Sequence, residues 1–165
     1  MAAQDIVLKD SNNGFGATGA KRFTVASGAT AILSGEPVAK ALGNSSGKTV
    51  TQGVTNSPVV ATDFWAGIAV SASTQTASAA GTVDVQTLSA NTVYLIAPNV
   101  AATWNTQAKY DALVGARVLL DLTAGVFTIL ATDGATNGCV VEPLDISLYP
   151  GKVAFSIRGG VNYLA

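Results

Sequence analysis

The chain has 165 residues, of which 48% are apolar and only 12% are charged, and its formal net charge at pH 7 is −1. This length fits one domain, and the high apolar content with so little charge excludes an intrinsically disordered chain. The near-neutral charge also argues against nucleic-acid binding, which requires a basic surface that neutralises phosphates.

The first 22 residues are predicted to form an extended N-terminal arm, followed by a single β-domain over residues 23–165. The start of the chain has no basic region followed by an apolar run, and no window approaches 18 consecutive apolar residues. We therefore expect neither Sec export nor a membrane span. Gly14–Gly19 satisfies the G-x-G-x-x-G pattern, but the polar residues Asp10–Asn13 come directly before it, Phe23–Val25 follows as a strand, and the sequence offers no long amphipathic helix and no βαβ unit. We interpret it as a glycine-rich part of the arm that can order against a neighbouring subunit.

Short β-rich segments follow between residues 23 and 96. Phe64–Ser73 is an apolar block in which Gly67 indicates a bulge or a close approach of two backbones. Thr82–Leu88 alternates apolar and polar residues, and together with Thr92–Ile96 it is predicted to form a hairpin.

One short helix is predicted, over about residues 106–114. Thr106 suits the N-cap position because its hydroxyl can accept a hydrogen bond from a free backbone amide. Gly115 stands where the left-handed residue that ends a helix belongs. A helix of about two to three turns must rely on packing for its stability.

The densest apolar sequence, residues 116–146, is predicted to form a three-stranded β-meander at the core. Arg117–Leu122 alternates along its length, Thr123–Gly125 reverses the chain, and Val126–Thr132 returns. A longer turn then leads into Cys139–Val141 as the third strand.

The meander is expected to have a second apolar face, formed by Leu119, Phe127 and Ile129, that needs cover from another sheet or another subunit. After it, Val153–Ile157 alternates again and predicts the last strand. Short strands separated by frequent turns predict an all-β fold, either an antiparallel β-sandwich or a β-barrel, with one short helix.

The sequence offers little chemistry. It contains no histidine and a single cysteine, Cys139, which excludes Ser-His-Asp and Cys-His catalysis and an internal disulfide and favours a small buried thiol. Asp121, Asp133, Glu142 and Asp145 lie in one region, but they lack the dense alternating oxygen ligands of a calcium loop. We predict no catalytic, cofactor-binding or metal-binding residue. A carboxylate pair assembled from distant positions stays open as an alternative.

The two tryptophans, Trp65 and Trp104, are candidate interface anchors, because aromatic residues carry a large share of interface energy. Packing in the core is the alternative for both residues. Trp104 stands in a polar stretch just before the predicted helix, so its sequence context favours neither role.

Phe64–Val70, Gly81–Val85 and Tyr110–Ile157 resemble segments of small head proteins of tailed bacteriophages, in which a GIA strand, a Ser/Thr/Ala loop, a GTVDV strand and a late β-meander recur. Capsid decoration, or cement, is the function associated with that group. The resemblance implies a structural virion protein that binds the outer surface of an assembled head and bridges subunits of the major capsid protein. It implies stabilisation of the shell and brings no catalytic residues.

The resemblance also implies synthesis in the host cytoplasm, a final location on the virion capsid surface, and a homo-oligomer, with a trimer favoured. The composition is compatible with this role, since oligomerisation covers strand edges that otherwise aggregate. Three alternatives stay open: another phage component such as a minor head, tail or fibre protein, a carbohydrate- or ligand-binding β-module, and an enzyme that uses only carboxylates.

Overall fold

The computed structural model describes residues 7–11, 20–40, 48–54, 56, 58–59, 64–87, 92–123, 125–158 and 162–163. These residues confirm the predicted all-β fold with one short helix, built as a five-stranded barrel joined to further sheets. In chain order the elements are β1 (Val7–Ser11), β2 (Lys21–Val25), β3 (Pro37–Lys40), β4 (Thr49–Gln52), β5 (Phe64–Ala69), β6 (Gly81–Thr87), β7 (Thr92–Ile96), a 3-10 turn (Ala101–Thr103), α1 (Gln107–Asp111), β8 (Arg117–Val118), β9 (Leu120–Thr123), β10 (Val126–Ile129), β11 (Cys139–Val141), β12 (Val153–Ile157) and β13 (Asn162–Tyr163).

The barrel is formed by β5, β3, β4, β2 and β6, in that order, and it closes because β6 pairs with both β2 and β5. Its pairings are antiparallel except for that of β2 with β4, which run parallel. β13 pairs in parallel with the first two residues of β5, Phe64 and Trp65, ahead of the stretch of β5 that pairs with β6.

The barrel interior is filled by small and medium-sized apolar side chains. They are Phe23, Val25, Ile32, Val38, Val50, Ala66, Ala69, Val83 and Val85. The seam between β5 and β6 depends on Gly67, since a Cβ at this position would fall well inside contact distance of the Gln86 carbonyl oxygen. The φ of Gly67 is +155°, which also favours glycine. The prediction that two backbones approach closely here is confirmed.

A second sheet is built from the C-terminal half and β1, in the order β1-β7-β12-β11-β8, with antiparallel pairings throughout. β9 and β10 form a separate two-stranded ribbon. The second core lies among these elements and α1. Its buried members are Trp65, Ile68, Tyr94, Leu95, Ile96, Trp104, Tyr110, Val118, Leu120, Phe127, Ile129, Cys139, Val141, Leu144, Val153, Ala154, Phe155 and Ile157.

Strand β5 belongs to both cores. Ala66 and Ala69 point into the barrel, whereas Trp65 and Ile68 join the second cluster. The barrel and the second sheet therefore share one strand as a common wall. The division into an arm over 1–22 and a single domain over 23–165 stays a prediction.

Helix α1 begins as predicted from its N-cap. The Thr106 hydroxyl accepts a hydrogen bond from the Lys109 amide at 3.3 Å. The helix ends at Asp111, earlier than predicted, and turns continue to Gly115, whose φ is +84°. Its buried residue is Tyr110, which fixes the helix to the second sheet.

Part of the predicted N-terminal arm is placed in the fold. Val7–Ser11 pairs with β7 at the edge of the second sheet, and Lys21 and Arg22 are the first residues of β2. Gly14–Gly19 and the rest of the arm lie outside the described residues, so the extended arm stays a prediction.

Two local strand pairings predicted from the sequence are wrong. β6 and β7 do not form a hairpin, because β6 lies in the barrel and β7 in the second sheet. The first hairpin of the meander over residues 116–146 is confirmed, because β9 pairs with β10, but the pairing of its second and third strands is wrong, because β11 pairs with β8 and β12. β6 pairs instead with β2 and β5, and β7 pairs with β1 and β12.

The face assigned to Phe127 and Ile129 is also corrected. These residues lie opposite Leu122 and Leu120, so all four share one face of the ribbon and Leu119 does not belong to it. Phe127 is 3% exposed and Ile129 is 0% exposed. The cover for this face comes from the chain's own second core.

Candidate interaction surface

The carboxylates singled out from the sequence do not converge. Among the described residues, no group of three or more Cys, Asp or Glu side chains could hold a metal ion. Each carboxylate instead accepts a local hydrogen bond; the donors for Asp121, Asp133, Glu142 and Asp145 are, in that order, the Thr123 hydroxyl, the Arg117 amide, the Ser156 hydroxyl and the Ser147 amide.

A buried carboxylate that the sequence analysis did not single out belongs to Glu36, which is 1% exposed. Its Oε2 accepts hydrogen bonds from the Leu33 amide at 2.8 Å and from the Gln52 side-chain amide at 2.9 Å. A buried carboxylate that joins a turn to β4 in this way organises the barrel, because buried polar groups must be hydrogen-bonded.

Three other candidates from the sequence are core residues. Cys139 is buried, as predicted, and burial raises the pKa of its thiol. Trp65 is 0% exposed and Trp104 is 5% exposed, so both pack in the core and not on the surface. Trp104 makes an edge-to-face contact with Tyr110, with ring centroids 5.7 Å apart.

The most exposed of the large apolar side chains in the described part of the chain, Leu148, lies in residues 143–152, which we call the presenting loop. Leu148 is 71% exposed and Tyr149 is 37% exposed, whereas Leu144 is buried. Leu148 therefore projects from a loop whose base is anchored in the second core.

Gln107 of α1 clamps the first part of the presenting loop. Its side-chain amide donates to the Leu144 carbonyl at 2.9 Å and to Asp111 Oδ1 at 2.7 Å. Its Oε1 accepts from the Ile146 amide at 3.1 Å. One side chain thus satisfies two backbone groups of the loop and fixes the loop relative to the helix.

Asp145 closes the turn that carries Leu148. Its Oδ1 accepts from both the amide and the hydroxyl of Ser147, at 2.9 and 2.6 Å, and its carbonyl accepts from the Leu148 amide at 3.2 Å. These hydrogen bonds from Ser147 hold the pKa of the Asp145 carboxyl below its usual value. The exposed leucine is consequently presented by an ordered turn.

An open groove of about 680 Å³ lies between α1 and the presenting loop. Its described lining contains two carboxylates and no lysine or arginine. The lining residues are Gln107, Asp111, Pro143, Leu144, Asp145, Leu148 and Tyr149. The groove thus combines an apolar floor with negative charge.

A smaller cavity of about 270 Å³ also borders the presenting loop. Its lining residues are Pro98, Ala101, Trp104, Asn105, Ile146, Pro150, Gly151 and Lys152. The presenting loop is therefore flanked by concave surface, as expected of a segment that makes contacts with another molecule.

This surface was not predicted from the sequence. Between Pro143 and Pro150, Leu144, Ile146 and Leu148 alternate with Asp145 and Ser147, a pattern typical of a strand, whereas the structure forms turns there. The clamp from Gln107 could not have been inferred, because it joins residues about 40 positions apart.

Comparison of the chain with protein-family models, curated proteins and solved structures finds no significant match. Among the described residues, the helices are too short or too polar to cross a bilayer. The function of the presenting loop and its groove therefore has to be argued from their geometry and from the sequence resemblance.

Proposed function

We propose that this chain is a structural virion protein, a capsid decoration protein that binds the outer surface of an assembled phage head. In this role it bridges subunits of the major capsid protein and stabilises the shell. The single observation that carries the proposal is the presenting loop, which holds Leu148 and Tyr149 out from an otherwise complete domain.

A rigid exposed apolar segment suits a protein whose function is contact. Leu148 and Tyr149 both expose apolar surface, and tyrosine is among the residues enriched in interface hot spots. Because Gln107 and Asp145 already order the loop, association costs little further conformational entropy.

The segments that resemble phage head proteins have a clear structural role. Phe64–Val70 and Gly81–Val85 contribute β5 and β6, whose pairing closes the barrel. Gly67 and Gly81 both stand where a Cβ would collide with backbone, the latter with the backbone of Gln75. These segments build the barrel, so the contact residues must be sought elsewhere on the molecule.

A homotrimer over local three-fold positions of the shell is part of the proposal. In a trimer each subunit repeats the same weak contact with the shell, so a charge-poor β-domain can attach firmly without a deep binding site. The N-terminal arm can take part only through residues outside Val7–Ser11, because that segment is paired with β7.

The proposal is tested by the copy number of the protein on purified virions. Quantitative mass spectrometry should give a ratio to the major capsid protein that matches full occupancy of three-fold sites. Heads stripped of the protein should recover resistance to heating when the purified protein is added back. A handful of copies per particle, or recovery of the protein with tails, would contradict decoration.

A further inference from the structure

We propose that the groove between α1 and the presenting loop binds a polypeptide segment in which an apolar side chain is flanked by a lysine or arginine. This inference rests on the proposed function and deepens it, because it assigns the face of the molecule that attaches and the chemistry of its partner. The occupant is a segment of another protein and not a second copy of this chain.

The apolar part of the recognition comes from the floor and one wall of the groove. Leu144, Leu148 and Tyr149 all line the groove; Leu144 is buried, whereas Leu148 and Tyr149 are 71% and 37% exposed. An apolar side chain of the partner has the exposed surfaces of Leu148 and Tyr149 available for contact. The volume of about 680 Å³ accommodates such a side chain together with its flanking backbone.

The basic part of the recognition follows from the charges that line the groove. Asp111 and Asp145 are both exposed and both line it, and the described lining contains no cation. The lysine of the same helix, Lys109, is engaged elsewhere: its Nζ donates to the Ala102 carbonyl at 2.8 Å and to Asn105 Oδ1 at 3.0 Å. Complementary charge favours a partner segment that brings lysine or arginine, whereas an acidic segment is repelled.

Preorganisation separates this groove from a chance surface depression. Gln107 holds Leu144 and Ile146, and Ser147 donates twice to Asp145, so both walls are fixed before a partner arrives. The Asp145 carboxylate also stays ionised under mildly acidic conditions, because the Ser147 donors lower its pKa. The negative charge needed for recognition is therefore present throughout the neutral range.

The first experiment uses two defined probes with the full-length protein labelled with ¹⁵N. The probes are the capped peptides Gly-Leu-Arg-Leu-Gly and Gly-Leu-Glu-Leu-Gly. In 50 mM salt the arginine peptide should shift the side-chain amide of Gln107 and the backbone amides of Leu148 and Tyr149. It should bind at least about fivefold more tightly than the glutamate peptide, and the difference should shrink in 500 mM salt. Absence of shifts at these positions, or equal binding of the two peptides, overturns the inference.

Matched variants connect the groove to capsid attachment. Asp111→Asn with Asp145→Asn removes both charges but keeps an oxygen that can accept from Gln107 and Ser147. The control is Asp133→Asn, a carboxylate that does not line the groove and accepts from the Arg117 amide. The double variant should bind stripped heads about fivefold or more weakly at low salt, and the control should bind like the wild type.

The outcomes distinguish the groove from the general function. If the double variant attaches to heads as tightly as the wild type, the proposed role of the groove is wrong, but the proposed decoration function is not affected. Absence of attachment by the wild type overturns decoration, and the peptide titration then decides on the groove alone. Self-association that Leu148→Ser abolishes, measured by sedimentation velocity, overturns the inference by showing that a second copy occupies the groove.

Discussion

The hydroxyl of Tyr110 accepts a hydrogen bond from the amide of Ala154 at 2.9 Å, deep in the second core. The same hydroxyl donates to the Glu142 carbonyl at 2.9 Å, while the Glu142 amide donates to the Ala154 carbonyl. The tyrosine oxygen thus stands between two strand groups that would otherwise pair directly. This arrangement ties α1 to the end of the β11–β12 ladder and positions the helix that carries Gln107.

Replacing Tyr110 by phenylalanine is expected to lower the free energy of unfolding by about 1–3 kcal/mol. The ring stays in the core, but a buried amide and a buried carbonyl lose their partner. Urea denaturation followed by circular dichroism measures the loss. Tyr149→Phe is the control, since Tyr149 is 37% exposed and its substitution should change stability by less than about 0.5 kcal/mol. Equal stability of the two variants would show that the strands close up without the hydroxyl.

The Tyr110 hydroxyl also predicts how stability depends on alkaline pH. Burial raises its pKa from 10.0 to about 12, so the unfolded chain releases this proton before the folded chain does. The protonated hydroxyl therefore contributes to the free energy of unfolding in full below pH 10, and this contribution is lost as the pH rises from 10 through 12. The total loss is at most about 3 kcal/mol. Denaturation midpoints measured between pH 9 and pH 11.5 should fall more steeply for the wild type than for Tyr110→Phe. Parallel curves for the two proteins would contradict the assignment.

Local patterns in the sequence predicted single elements well and their pairing poorly. Alternation identified β6 and β7, and the Thr106 cap and Gly115 bracketed the helix. The hairpin between β6 and β7 was wrong because Val83 and Val85 face the interior of a barrel that β6 completes with β2 and β5. Which strands share a core is decided by partners far apart in sequence, and alternation carries no information about them.

The candidate surface could not be predicted from local sequence patterns either, because it joins segments that are far apart in the sequence. Its parts, α1 and the presenting loop, are separated in sequence by about 30 residues, which contain the four strands β8 to β11. Leu148 looks like any other apolar residue in the sequence, and only its 71% exposure distinguishes it. Exposure is a property of the whole packing arrangement, so it could not be read from the pattern around Leu148.

Gly67→Ala is expected to disrupt the barrel. The added Cβ meets the Gln86 carbonyl oxygen at a φ of +155°, and the seam between β5 and β6 cannot open without losing its ladder. We expect a loss of at least about 3 kcal/mol, or no folded protein. Gly125→Ala is the matched control, because its φ is also positive, at +78°, but a Cβ there meets nothing within 4 Å. The control should lose about 1 kcal/mol; similar losses in both variants would assign the effect to φ alone.

Cys139 is expected to resist alkylation in the folded protein. It is 0% exposed, so the reagent cannot reach the sulfur atom. Its thiol also has a raised pKa, so the reactive thiolate does not form at pH 8. Iodoacetamide at pH 8 should leave the native protein unmodified over an hour and label it fully in 6 M guanidinium, as measured by intact mass. Fast stoichiometric labelling of the native protein would show that the second sheet opens at β11.

Removing residues 2–20 is expected to leave residues 23–165 folded but to weaken attachment to heads. The structure adds a second consequence, because the deletion removes β1 and uncovers the outer edge of β7. A free strand edge invites pairing between molecules, so the truncated protein should also lose about 2 kcal/mol of stability and self-associate.

Deletion of residues 2–6 is the control, since it keeps Val7–Ser11. Urea midpoints and sedimentation velocity compare the two. If both deletions give equally stable, monodisperse proteins, β1 contributes nothing to the sheet in solution; undiminished head binding by the longer deletion would exclude the arm from attachment.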